Sequence, residues 1–180
     1  MIRLELGPIA VREWQTADAS ALALLANDRR VSVTMRDAFP YPYGVKDARR
    51  FIRKARLRVP ATFFAIDASG RLAGGAGYVP HTDVERIGAE VGYWLGCEFW
   101  GRGIATAALR LLTRHAFAAN AELRRLYAVP FATNPASARV LQKAGYVCEG
   151  TLRQSAVKEG QVLDQWMYAL LRDEWQDGAP

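Results

Sequence analysis

Thiols and imidazoles are scarce in this chain of 180 residues, which has two cysteines, Cys97 and Cys148, and two histidines, His81 and His115. So few soft ligands exclude a thiolate-rich metal site, and one cysteine pair excludes a disulfide scaffold. Two small buried thiols are the simplest expectation, with a single disulfide left open. Lysine is also rare: arginine supplies 20 of the 24 basic groups. No apolar run approaches the ~20 residues that span a bilayer. The start, MIRLELGPIAVREW, lacks the apolar core of a signal peptide, so a cytoplasmic protein is expected. A GxGxxG Rossmann fingerprint is absent, and no Gly-Lys-Ser or Gly-Lys-Thr marks a P-loop.

What is present describes one domain over residues 1–180. Hydrophobic residues make up 51% of the chain, enough for a core without staples and too many for a disordered chain. The net charge of +6 favours anionic partners, either nucleic acid or a phosphate-bearing cofactor. Seven basic residues and one acid fall between Lys46 and Arg58, so the excess is local. This run reads as a solvated helix face or, more sharply, as a surface meeting acidic protein or ribosomal RNA. Without a stacking motif or a groove-reading helix, the nucleic-acid version is disfavoured.

Periodicity sets the order of elements. A first strand covers Ile9 to Trp14. A helix follows over Ala19 to Ala26, with Thr16 or Asp18 as its cap and Asn27-Asp28 as its end. Two prolines keep Phe39 to Gly44 irregular. Val45 to Arg58 is a basic amphipathic helix with Phe51, Ile52, Ala55 and Val59 inward. Strands are expected at Thr62–Asp67, Leu72–Val79 and Gly88–Leu95, the first two joined by a turn at Ala68-Ser69-Gly70. A helix covers Gly103 to Ala119 and a strand Leu126 to Val129. A helix from Pro135 to Ala144 stops at Gly145, and Tyr146–Leu152 pairs with Leu163–Leu171. The fold class is α/β: a single mixed, mostly antiparallel curved sheet with helices covering both faces.

Two runs carry chemistry. In the first, Glu90 to Leu95 is a strand, and Trp100-Gly101-Arg102-Gly103-Ile104-Ala105-Thr106 leads into a helix. Its glycines let the backbone turn tightly and approach a ligand, and the free amides of the helix terminus form an anion site. Arg102 adds positive charge. The plainer reading of Gly-x-Gly before a helix is a tight turn, and spacing alone leaves both open. The second run is Asn134-Pro135-Ala136-Ser137-Ala138-Arg139-Val140-Leu141-Gln142-Lys143-Ala144-Gly145-Tyr146. Helix capping accounts for Asn134, Pro135 and Gly145. In the functional reading Asn134 bonds an amide of an extended ligand, and Ser137 reaches its sulfur or oxygen.

Together the runs resemble the acetyl-CoA-binding motifs of the GCN5-related N-acetyltransferases, most closely the ribosomal-protein N-terminal acetyltransferase branch. That resemblance extends over nearly the whole chain. It implies that Trp100 to Ala105 matches the family's R/Q-x-x-G-x-G/A pyrophosphate element, with Trp100 at its variable first position. It implies that acetyl-CoA enters between the strands at Glu90–Leu95 and Leu126–Val129, meeting Tyr93, Trp94 and Leu95 through backbone groups. The side chains of Tyr93 and Trp94 are then core or groove-wall aromatics. Glu90 becomes the base candidate, its pKa raised by burial among apolar neighbours; the alternatives are a substrate-ammonium contact and a structural pair with an arginine. The family's tyrosine on the helix after the second strand is replaced here by Leu141, which leaves Ser137 to serve the departing thiol.

The implied activity is direct acetyl transfer from acetyl-CoA, as cosubstrate, to a primary amine in a ternary complex, with no metal. A protein N-terminal amine of ribosomal type is the leading acceptor, a small amine such as a polyamine or antibiotic the runner-up. A coenzyme-binding module without turnover is the rival class. Arg12, Asp28, Arg29, Tyr41, Tyr43 and His81 fall on the expected acceptor side, His115 is a helix-surface or packing residue, and dimers are common in such enzymes.

Overall fold

The computed structural model describes residues 2–176; Met1 and residues 177–180 of the expected domain lie outside them. Eight strands form one sheet: β1 Arg3–Leu6, β2 Ile9–Glu13, β3 Phe63–Ala68, β4 Arg71–Pro80, β5 Gly88–Leu95, β6 Arg125–Ala128, β7 Val147–Lys158 and β8 Gln161–Leu171. The helices are α1 Ala19–Ala26, α2 Arg29–Ser32, α3 Val45–Arg56, α4 Ile104–Ala119 and α5 Pro135–Lys143. The strand order is β1-β2-β3-β4-β5-β6-β8-β7. Neighbours are antiparallel except β5 and β6, which run parallel. This is the mixed, mostly antiparallel sheet that the pattern predicts.

Alternation along the strands feeds two cores. Val11, Phe64, Ile66, Tyr78 and Val91 pack on one face with Leu109, Leu112 and Ala116 of α4. On the other face Trp14 and Ala65 pack with Leu22 and Ala23 of α1 and Ile52 and Ala55 of α3. The β3–β4 hairpin turns through Ser69 (φ 54°) and Gly70 (φ 81°), so its two-residue loop sits where the sequence places it.

Several expectations are corrected. Strand β1 and helix α2 are additional to the expected elements, too short to carry a readable period. Asp18 does not cap α1 through its side chain, because its carboxylate is held by Arg12 at 2.8 and 2.9 Å and by the Gln15 N–H. Helix α3 ends at Arg56, and Val59 is 93% exposed; Ala48, Ile52 and Ala55 form its buried stripe. Neither cysteine is buried: Cys97 is half-buried and Cys148 exposed, and both are free thiols.

Candidate active site

The parallel contact between β5 and β6 lasts only from Gly88, Ala89 and Glu90 to Arg125, Leu126 and Tyr127. Beyond Ala128 the chain follows β8 instead. The Pro130 carbonyl accepts from the Trp166 N–H at 3.0 Å, and Phe131 bridges Gln165. Strand β5 continues to Leu95 with β4 on one side and a gap on the other. The Ile87 carbonyl accepts from Arg125 on the β6 side, and the Gly96 N–H donates to Ala73 on the β4 side. Peptide alternation therefore turns the Val91 carbonyl and the backbone groups of Tyr93 and Leu95 into the gap.

The turn after β5 borders this gap. Gly101 (φ 73°) and Gly103 (φ 75°) adopt the left-handed conformation that disfavours a Cβ, and Gly103 starts α4. Among the described residues, no acceptor within the protein takes the N–H of Gly101, Arg102, Gly103, Ile104, Ala105 or Thr106. The first intrahelical bond here runs from Ala107 to Gly103. Gly101, Arg102 and Gly103 are exposed. Trp100 is pinned beside them by its indole N–H, which donates to the Leu95 carbonyl at 2.9 Å. Arg102, Arg139 and Lys143 line the same groove and form no ion pair among the described residues. A row of free amides ringed by cations fits a diphosphate.

On this face of β5 the Tyr93 hydroxyl lies 2.9 Å from Ser137 Oγ and donates to the Ser137 carbonyl at 3.1 Å. Burial pushes the Tyr93 phenol well above its usual range, so it stays protonated. Asn134 caps α5 by accepting the Ser137 N–H at 3.2 Å, while its amide NH2 has no partner among the described residues and lines the groove.

The opposite face carries Glu90, Gly92 and Trp94. Trp94 meets Phe39 edge-on at 5.4 Å. Glu90 forms an ion pair with Arg36, and its side chain is 29% exposed. Its surroundings are thus a guanidinium and solvent, not the apolar enclosure expected. Gly92 between them is exposed, and a Cβ there would meet nothing within 4 Å. The two faces communicate through the gap, and one groove of about 1160 Å³ runs from the Gly101–Thr106 turn to Arg36, Glu90 and α3. Beside Glu90, Tyr127 bonds His81 at 2.8 Å, the rings stacked at 5.5 Å. Burial and the carboxylates of Glu90 and Glu85 raise the Tyr127 phenol.

Every residue expected at the site, from Glu90 and Tyr93 to Thr106, Asn134 and Ser137, lines this groove. The wider acceptor set divides. Arg12 is buried against Asp18 and Asp67, away from the groove, whereas Tyr43 packs in the core and also lines the groove. Asp28 caps α2, and Arg29 pairs with Glu159 and covers the Tyr41 ring. His115 packs edge-on to Phe64. Arg36, Tyr127 and the Tyr93 hydroxyl are additions that no motif marks, and Arg139 and Lys143, which belong to the second run, are given no role there. The resemblance places Tyr93 at the site through its backbone; only alternation on β5, which puts Tyr93 and Glu90 on opposite faces, signals where its side chain points. Among the described residues, no group of three or more His, Cys, Asp or Glu is placed to hold a metal, and no helix is long and apolar enough to cross a membrane.

Known proteins are similar to this chain in sequence and fold. The model of the acetyltransferase (GNAT) domain matches residues 9–147. The chain belongs to the GNAT acetyltransferase family. YdaF of Bacillus subtilis, provisionally named a ribosomal N-acetyltransferase, is 39% identical over 88 residues, 49% of this chain and 48% of its own. The match thus spans about half of that relative. The uncharacterised N-acetyltransferase p20 of Bacillus licheniformis is 28% identical over 170 residues, 93% of this chain and 94% of its own. Among solved structures, RimL, the ribosomal L7/L12 alpha-N-protein acetyltransferase in complex with coenzyme A, superposes with a TM-score of 0.83 at 22% identity. The superposition covers 96% of this chain and 99% of RimL, a likeness of fold.

Proposed function

We propose that this protein transfers the acetyl group of acetyl-CoA to a primary amine, and that the amine is the N-terminus of a protein. The observation that carries the reading is the row of unbonded amides from Gly101 to Thr106 beside the β5–β6 gap. Those amides, with Arg102, Arg139 and Lys143, hold the coenzyme diphosphate. The pantetheine arm pairs with the free backbone edge at Tyr93 and with the Leu95 N–H, and the Asn134 NH2 donates to one of its carbonyls. The thioester then lies in the gap, where a β5 N–H donates to its carbonyl oxygen as charge develops.

The amine arrives from the opposite face over Gly92. Its nitrogen attacks the thioester carbon, the C–N bond forms, and the C–S bond breaks. Glu90 accepts the proton lost by nitrogen, directly or through water, once its pair with Arg36 opens. The Ser137 and Tyr93 hydroxyls hydrogen-bond the departing sulfur as it takes up a proton. A polyamine acceptor is disfavoured because the groove carboxylates Asp47 and Glu90 are already paired, with Arg50 and Arg36.

Thiol release from acetyl-CoA, measured against a panel of N-terminal peptides and free amines, tests the reading. Turnover on peptides is expected, with kcat falling about 100-fold in Glu90→Gln at unchanged coenzyme affinity. Coenzyme binding without turnover on any amine would overturn it in favour of a binding module.

A further inference from the structure

The excess charge of the molecule has a location and an orientation. On α3, successive side chains are 100° apart, and Ala48, Ile52 and Ala55 mark the buried side. Asp47, Arg50, Phe51 and Lys54 turn toward the groove and line its acceptor end together with Glu90 and Gly92. Lys46, Arg49, Arg50 and Arg53, spaced i, i+3, i+4 and i+7, form one stripe that begins at that rim and runs outward. Asp47 neutralises Arg50, Arg56 bonds the Thr16 hydroxyl, and Arg58 lies over the Phe63 ring. Lys46, Arg49, Arg53 and Lys54 have no acidic partner among the described residues, and all four are exposed. Like charges in such a row repel one another, so the stripe is unfavourable in the free protein and is relieved by an anionic partner.

Resting on the reading that a polypeptide N-terminus is the acceptor, we propose that α3 is a docking rail for an acidic segment just behind that N-terminus. The amine crosses Gly92 while downstream Asp and Glu side chains lie along Lys54, Arg53, Arg49 and Lys46. The helix is about 18 Å long, the span of about five or six extended residues, so the acidic positions begin a few residues into the substrate. RNA fits less well. Phe51 is committed to Trp14 and Phe63, leaving no exposed ring on the helix for a base to stack on.

The test compares three fluorescein-labelled probes by anisotropy at about 20 mM salt, where screening is weak. They are a 15-residue peptide with Glu at positions 5–10, the same peptide with Gln there, and a single-stranded RNA of equal charge. The full-length protein is compared with Lys46→Gln/Arg49→Gln/Arg53→Gln, whose substitutions are exposed and outside the groove. The acidic peptide should bind about tenfold tighter than its Gln counterpart, and the triple variant should lose that difference. Changing the three positions to Glu should instead favour a Lys-containing peptide, which separates docking from misfolding. Equal binding of the acidic and Gln peptides, or tighter binding of the RNA, would overturn the rail. Because binding is read without turnover, failure of the rail is distinct from failure of peptide acetylation, which the thiol assay reports.

Discussion

Tyr93 gains its significance from what lies across the gap. Its hydroxyl meets Ser137 although the two residues are 44 positions apart, so neither side chain explains the other in the linear order. Tyr93→Phe removes that hydroxyl and keeps the ring packing. It should lower kcat about 10- to 100-fold while coenzyme affinity holds. An unchanged kcat would leave Ser137 to act without it. His115 offers a prediction in pH. Burial holds its imidazole below the ordinary value of 6.5, so the unfolded chain takes up the proton first as pH falls. Its contribution to stability is complete above about pH 6.5 and is lost as pH falls through the folded value. Urea melts should show His115→Gln losing less stability than the wild type between about pH 6.5 and pH 5; parallel losses would contradict this.

At the level of elements, β5 separates the reactants of the proposed transfer. In that reading odd residues Val91, Tyr93 and Leu95 serve the coenzyme side, even residues Glu90, Gly92 and Trp94 the acceptor side. Gly92 is the opening between them. Its backbone is not in the left-handed region, and a side chain there meets no neighbour, so Gly92→Leu should fold normally and bind coenzyme as before. Acceptor turnover should fall about tenfold or more, because the added side chain fills the amine's path. Retained kcat/KM would place the acceptor elsewhere. The motif-bearing elements were legible because each has a local cause: paired glycines before α4, a proline and an asparagine at the start of α5. Strand β1 and helix α2 were not, since four residues show no period and their place is set by β2 and by Asp28 capping.

For the whole molecule, the same distinction between local and long-range causes decides what could be read. The longer strands and helices and their order follow from periods and turn chemistry within short windows, and the expected groove residues from the two motif-bearing runs and the family they resemble. The ion pairs that shape the acceptor side do not. Arg36 reaches Glu90 across 54 positions, and Lys158 and Glu159 at the β7–β8 turn reach Asp37 and Arg29. Arg12, which looks available in sequence, is instead absorbed by Asp18 and Asp67 beneath the sheet. The charge balance, by contrast, was readable from the start, because a run from Lys46 to Arg58 with seven bases and one acid cannot hide them internally.

The central claim is that the amides of Gly101 to Thr106 hold a diphosphate. Residue-resolved hydrogen exchange reads those groups directly, with coenzyme A compared against pantetheine, which lacks the diphosphate. The free protein should exchange all six amides quickly, since none is bonded internally. Saturating coenzyme A should protect Gly101 to Thr106, and pantetheine should leave them unprotected. Coenzyme A bound at saturation with these amides still exchanging at their free rates would contradict the account.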